Sequence, residues 1–148
     1  MTFFYIFNFS SQDSEESGNL SRTITVNVTK NIKKIQELDK FKKNEILNTI
    51  EKIIRKLAHF TEYTFLGMLL MSLMNTYNLK QKNRFLFGIG IGFIYACSDE
   101  FHQLFVPGRT AKFTDVLIDT SGVCMGCLII FLILLIIKKY KTKKAIDS

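Results

Sequence analysis

The sequence predicts an all-α, polytopic membrane protein with three complete transmembrane helices, a partial N-terminal apolar segment and an amphipathic helix. Three observations carry this prediction. Apolar residues make up 47% of the 148-residue chain, with 14 Phe and no Trp, and most of them fall in three blocks. Each block (Leu57–Tyr77, Phe85–Phe105 and Val116–Ile137) holds about the 20 residues that a helix needs to cross the hydrocarbon core. Basic residues flank the blocks instead of interrupting them: Lys80, Lys82 and Arg84, then Lys138, Lys139, Lys141, Lys143 and Lys144. That is a topology pattern. One buried helix of a soluble core could be this long, but three in a single-domain chain argue against it.

Residues 1–9 are strongly apolar but too short to span, and no basic stretch precedes them as in a signal peptide. They read as the last turns of a transmembrane helix whose beginning is missing, or as an interfacial anchor. Residues 10–56 form a polar loop and an amphipathic helix. Ser10–Arg22 is rich in Ser, Asp, Glu and Gly and reads as loop. Thr23–Thr29 alternates Ile24, Val26 and Val28 with Thr and Asn, which fits a short strand, a helix start or an extended loop. In Lys30–Lys56 the positions Ile46, Ile50, Ile53, Ile54 and Leu57 repeat at helical spacing, with Lys and Glu opposite. This helix either lies on the membrane surface and runs into the first span, or packs as a solvated helix on the bundle.

Residues 57–137 form the transmembrane core. Asn75–Arg84 is a short basic turn, Pro107-Gly108 breaks the chain after the second span, and Thr114-Asp115 starts the third. Gly88, Gly90 and Gly92 follow no strand, so they make no dinucleotide fingerprint. Gly88 and Gly92 instead fit a small-xxx-small helix contact. Residues 138–148 are a basic tail, expected to be disordered.

The net charge of +7 comes without aromatic interleaving or a nucleic-acid motif, so no nucleic-acid partner is expected; the bilayer is. Cys97, Cys124 and Cys127 all fall inside spans. Cys124 and Cys127 have CxxC spacing but no thioredoxin-like context, and they read as small packing residues.

The unusual residues gather at one membrane face. Successive spans alternate direction, so the start of the first span, the end of the second and the start of the third share a side. On that side lie His59 and Glu62, then Asp99, Glu100, His102 and Gln103, then Arg109, then Asp115 and Asp119. Ionisable groups at such depth are costly and mark function. His59 and Glu62 share a helix face, as do Asp99 and His102, and Glu100 and Gln103. Asp115, Asp119, Gly122 and Gly126 form one stripe, whose glycines let a neighbouring helix approach and bring the carboxylates toward the histidines. The basic turn and tail put the opposite side in the cytoplasm, so the cluster faces outward. Lys52, Arg55, Lys56, Arg109 and Lys112 on the cluster's own side weaken that bias.

The candidates for chemistry are His59, Glu62, Asp99, Glu100, His102, Arg109 and Asp115; those for binding are Gln103, Arg109 and Asp119. Four readings stay open. A paired network locks the helices together. A hydrolase or transferase acts on a lipid-linked envelope substrate, with a histidine as base and Arg109 holding an anionic group. A pocket captures a headgroup, peptide or antibiotic without chemistry. Two histidines and several carboxylates also suffice for a divalent ion, but no HExxH or comparable spacing is present, so neither a metal nor a cofactor is expected.

Three segments resemble the VanZ-like membrane protein family: Arg55-Lys56-Leu57-Ala58-His59-Phe60-Thr61-Glu62-Tyr63, Ser98-Asp99-Glu100-Phe101-His102-Gln103-Leu104-Phe105-Val106-Pro107-Gly108-Arg109, and Asp115-Val116-Leu117-Ile118-Asp119-Thr120-Ser121-Gly122. Phe9-Ser10-Ser11-Gln12 is similar to the segment after that family's first span. The middle motif is the specific one. The resemblance implies a four-helix membrane protein with polar motifs toward the outer face, and it implies that part of the first helix is absent here. Asp119 departs from the family, which usually carries Asn there. The founding member is linked to low-level teicoplanin resistance, so the resemblance implies a compartment, the cell envelope, more than a reaction; the partner expected for the polar pocket is an envelope lipid or a glycopeptide.

Overall fold

The computed structural model describes residues 14–32, 35, 37–105 and 112–146. These form four helices and, among the described residues, no strand. They are α1, Ser14–Thr29; α2, Lys40–Met74; α3, Gln81–Gln103; and α4, Phe113–Ile146. α4 packs most extensively on α2 and less on α3, while α1 lies against α2. The N-terminal apolar segment, the Phe9–Gln12 piece and the Val106–Arg109 end of the central run lie outside the described residues.

The amphipathic helix and the first apolar block are one continuous helix. No proline or early glycine interrupts α2, so its turns propagate from Lys40 to Met74. It stops at Asn75, whose Nδ2 donates at 2.7 Å to the Met71 carbonyl, an oxygen that also accepts the Asn75 backbone N–H. Arg84 Nη1 in turn donates to Asn75 Oδ1 at 2.8 Å, fixing the basic turn before α3.

Two expectations are corrected. Residues 14–22, expected to be loop, are helical and run into Thr23–Thr29, for which a helix start was one of three readings, as one helix, α1. Its hydroxyl residues Ser21, Thr25 and Thr29 are buried and step by four, while Ile24, Val26 and Val28 point outward. Thr25 Oγ1 donates to the Ser21 carbonyl and Thr29 Oγ1 to the Thr25 carbonyl, both at 2.8 Å. Bonding back to their own helix removes the penalty for burying those hydroxyls. The basic tail is helical as far as Ile146, because Lys is a good helix former and its charge favours a helix C-terminus.

The three apolar blocks are not equivalent. Among the described residues, one helix, Phe113–Ala145, is long and apolar enough to cross a membrane. Thr61, Glu62, Thr64 and Ser72 dilute α2, and three glycines with Ser98, Asp99 and Glu100 dilute α3.

The core lies where α2, α3 and α4 meet, around Tyr63, Leu66, Met71, Ala96, Val123 and Cys127. Small residues set its geometry. A Cβ on Gly122 would stand 2.6 Å from the Phe60 carbonyl, and one on Gly126 would collide with the Thr64 carbonyl. One on Gly67 would collide with the Val123 carbonyl. The backbones of α2 and α4 therefore touch, and Cys127 Sγ sits 3.5 Å from the Gly67 carbonyl. On α3, Gly88 receives Cys127 and Gly92 receives Val123, the small-xxx-small contact expected from the sequence.

Gly126→Ala must push the two backbones apart. We expect it to cost about 1–3 kcal/mol, read as a lower apparent melting temperature in detergent. Gly90→Ala, whose added Cβ meets nothing within 4 Å, serves as the control and should hold or raise the melting temperature, since alanine is the better helix former.

Candidate functional site

Because α4 lies so close to α2, their polar ends face each other. Lys56 Nζ donates to Asp115 Oδ1 at 2.8 Å. One turn further along both helices, His59 Nδ1 lies 3.9 Å from Asp119 Oδ1. The ion pair is half-exposed, where such a pair contributes roughly 0.2–1 kcal/mol, so it does more to register the helices than to hold them. Asp119 is 1% exposed, and its Oδ2 accepts no hydrogen bond among the described residues.

The end of α3 completes the arrangement. Asp99, Glu100 and Gln103 are all buried. Gln103 Nε2 donates to Asp99 Oδ2 at 3.2 Å, an i,i+4 contact along the helix. Glu100 Oε2 accepts the Lys112 backbone N–H at 2.9 Å, tying the start of α4 to the end of α3.

Between the three helix ends lies a cavity of about 250 Å³. Lys52, Arg55, Lys56 and Lys112 supply positive charge to its lining, Glu100, Asp115 and Asp119 supply negative charge, and His59, Gln103 and Ile118 complete it. Arg55 Nη2 is paired within its own helix with Glu51 Oε1 at 3.2 Å. The lining offers donors to an anion and carboxylates to a cation. This suits a zwitterionic or phosphate-bearing headgroup, because hydrogen bonds to ionised partners are the strong ones.

The sequence candidates divide accordingly. His59, Glu100, Gln103, Asp115 and Asp119 line the cavity. Asp99 is buried among them, and its carboxylate lies near His59 and Asp119. Glu62 is half-buried and within electrostatic range of Asp99. It does not pair with Lys56 or Arg55, which hold Asp115 and Glu51 instead. His102 is half-buried and does not line the cavity, so the imidazole at the site is that of His59. Arg109 lies outside the described residues.

Sequence reasoning took Lys52, Arg55, Lys56 and Lys112 for topology signals, whereas they line the cavity. The spacing of the first three was the available signal. Lys52 and Lys56 stand four apart, Lys56 and His59 three apart, and Arg55 and His59 four apart, so all four share a face. Ile118 gave no such signal.

A family model described as VanZ/LLP1 matches residues 1–135. No curated protein matches the chain, and no solved structure does. The match takes in α1, α2 and α3 whole, and α4 through every residue it brings to the cavity. The chain belongs to the VanZ/LLP1 family.

Proposed function

We propose that this chain is a multi-pass protein of the cell membrane, crossed by α2, α3 and α4. Its cavity faces outward, binds the charged headgroup of an envelope lipid, and by doing so lowers susceptibility to the glycopeptide teicoplanin. The observation that carries this reading is the mixed-charge cavity at one end of an otherwise apolar three-helix bundle. Charged groups at such a place mark a ligand pathway more often than they serve packing. Family membership supports the membrane setting, and so does the surface of α4. Leu132, Ile133, Leu134, Leu135, Ile136 and Ile137 are all exposed, an apolar girdle around the whole helix that belongs in lipid. In the apolar 18-residue stretch of this helix only 22% of the residues are buried in the chain, unlike the core helix of a soluble protein.

A second reading is a membrane hydrolase or transferase on a lipid-linked envelope substrate. The placement of His59 beside Asp119 favours it, since a carboxylate can orient an imidazole acting as general base.

Single substitutions separate binding and catalysis from a packing role. Lys56→Ala, His59→Ala, Glu100→Ala and Arg109→Ala should give folded protein in detergent at near wild-type yield. Teicoplanin susceptibility of expressing cells should return to that of cells without the protein. Normal yield with unchanged susceptibility in all four would sink the cavity's role, and collapse of yield in all four would make the cluster a structural network. For sidedness, a variant without its three native cysteines but carrying Thr110→Cys should react with an impermeant thiol reagent on intact cells. Labelling only after lysis would reverse the topology.

A further inference from the structure

Each of the three packed helices brings one metal-ligating group to the same point. His59 comes from α2, Asp99 from α3 and Asp119 from α4, with one ligand atom of each within 4.8 Å of the others. Asp99 and Asp119 are 5% and 1% exposed. The cluster is a mixed nitrogen and oxygen set drawn from three separate elements, so no short sequence motif encodes it.

The spacing between donors is informative. His59 Nδ1 and Asp119 Oδ1 are 3.9 Å apart, too far for a hydrogen bond. Two donors that each lie about 2.1 Å from a shared ion stand about 3.4–4.2 Å apart as their angle opens from tetrahedral to linear. The observed separation falls within that span. An independent observation points the same way. The second oxygen of Asp119 is buried and accepts no hydrogen bond among the described residues, although the residue lines the cavity. A buried carboxylate oxygen without a partner is expensive, and a cation is the partner that meets its need. The cations nearest in sequence to His59 are engaged elsewhere, Lys56 by Asp115 and Arg55 by Glu51. Gln103 steadies Asp99 through Oδ2, the kind of outer contact that orients a metal-bound carboxylate.

We propose that His59, Asp99 and Asp119 form a binding site for a divalent transition-metal ion of the zinc or manganese kind. One imidazole nitrogen and two carboxylate oxygens suit such an ion, and three protein ligands leave it an open position. The two carboxylates carry two negative charges, which the ion balances in surroundings of low polarity. Because His59 and Asp119 line the cavity, the open position can accept a water or an oxygen of an anionic ligand. The proposal rests on side-chain geometry and does not depend on what the cavity binds or on teicoplanin.

The test uses full-length protein purified in detergent, stripped with a chelator and titrated with Zn²⁺ alone. Elemental analysis should find about one zinc per chain, the count implied by one three-ligand site. His59→Ala and Asp119→Asn should weaken binding by more than the roughly 10–100-fold expected when a supporting contact is lost, and Gln103→Ala by about that much. Glu45→Gln removes an exposed carboxylate of α2 that lies outside the cavity and should bind like the wild type. Folded wild-type protein that retains no zinc would overturn the proposal, as would a Glu45→Gln loss equal to that of Asp119→Asn. Where a variant does not fold, X-ray absorption of the zinc-loaded wild type decides. One imidazole with oxygen neighbours supports the site, and sulfur in the shell assigns the ion to the cysteines and overturns it.

Discussion

The backbone of α4 lies against the backbone of α2 at Gly122 and Gly126, and the placement of the charged groups at the polar end of the bundle follows from that contact. Without side chains at these positions and at Gly67, the helices meet at separations that any Cβ would prevent. Two short aspartates on α4 can then reach a lysine and a histidine on α2. In the membrane setting proposed above, lipid supplies no hydrophobic drive for helix association, so close approach and polar contacts must supply it. The same glycines therefore both hold the bundle together and assemble its polar end.

The polar groups grade along the helices. The Lys56–Asp115 pair is half-exposed, and the groups around Asp119 and Asp99 are buried. In water the outer pair contributes little. The inner groups, where the dielectric is low, must be matched closely or they destabilise the fold. A chain that keeps Asp99, Glu100 and Asp119 buried together carries a strong demand for positive charge at that point. The cavity lysines, the His59 imidazole or a bound cation meet that demand, and a ligand that alters the balance there acts on the packing of all three helices.

Much of this was legible in the sequence. The apolar blocks foretold the long helices, the glycine spacing foretold close helix contacts without naming the partner helix, and alternating direction foretold that His59, Asp99 and Asp119 would share an end. Periodicity left Thr23–Thr29 open between strand, helix start and loop, because alternate β-branched residues suit a strand. Serine and threonine can satisfy their hydroxyls within a helix, and there they occupy the buried face in place of the apolar residues. Charge misled at Lys52, Arg55 and Lys56, because a basic run beside an apolar block is equally a topology signal and one face of a binding cavity. Which carboxylate each cation takes, and that His59 instead of His102 reaches the cavity, depends on helix rotation, which spacing within a single helix does not determine. Which three of the gathered donors come within reach of one another was undetermined for the same reason.

The juxtaposition of the polar ends of α2 and α4 is the point on which the cavity stands, and zero-length crosslinking of the unmodified protein in membranes tests it directly. A carbodiimide activates a carboxyl group, and an amine in contact with it displaces the reagent to form an amide. Lys56 Nζ and Asp115 Oδ1 are 2.8 Å apart and accessible to solvent. Close packing of α2 on α4 predicts a Lys56–Asp115 amide as a prominent crosslinked peptide in mass spectrometry. Recovery of Lys56 and Asp115 unlinked to each other, with either one joined to a different partner, would contradict it.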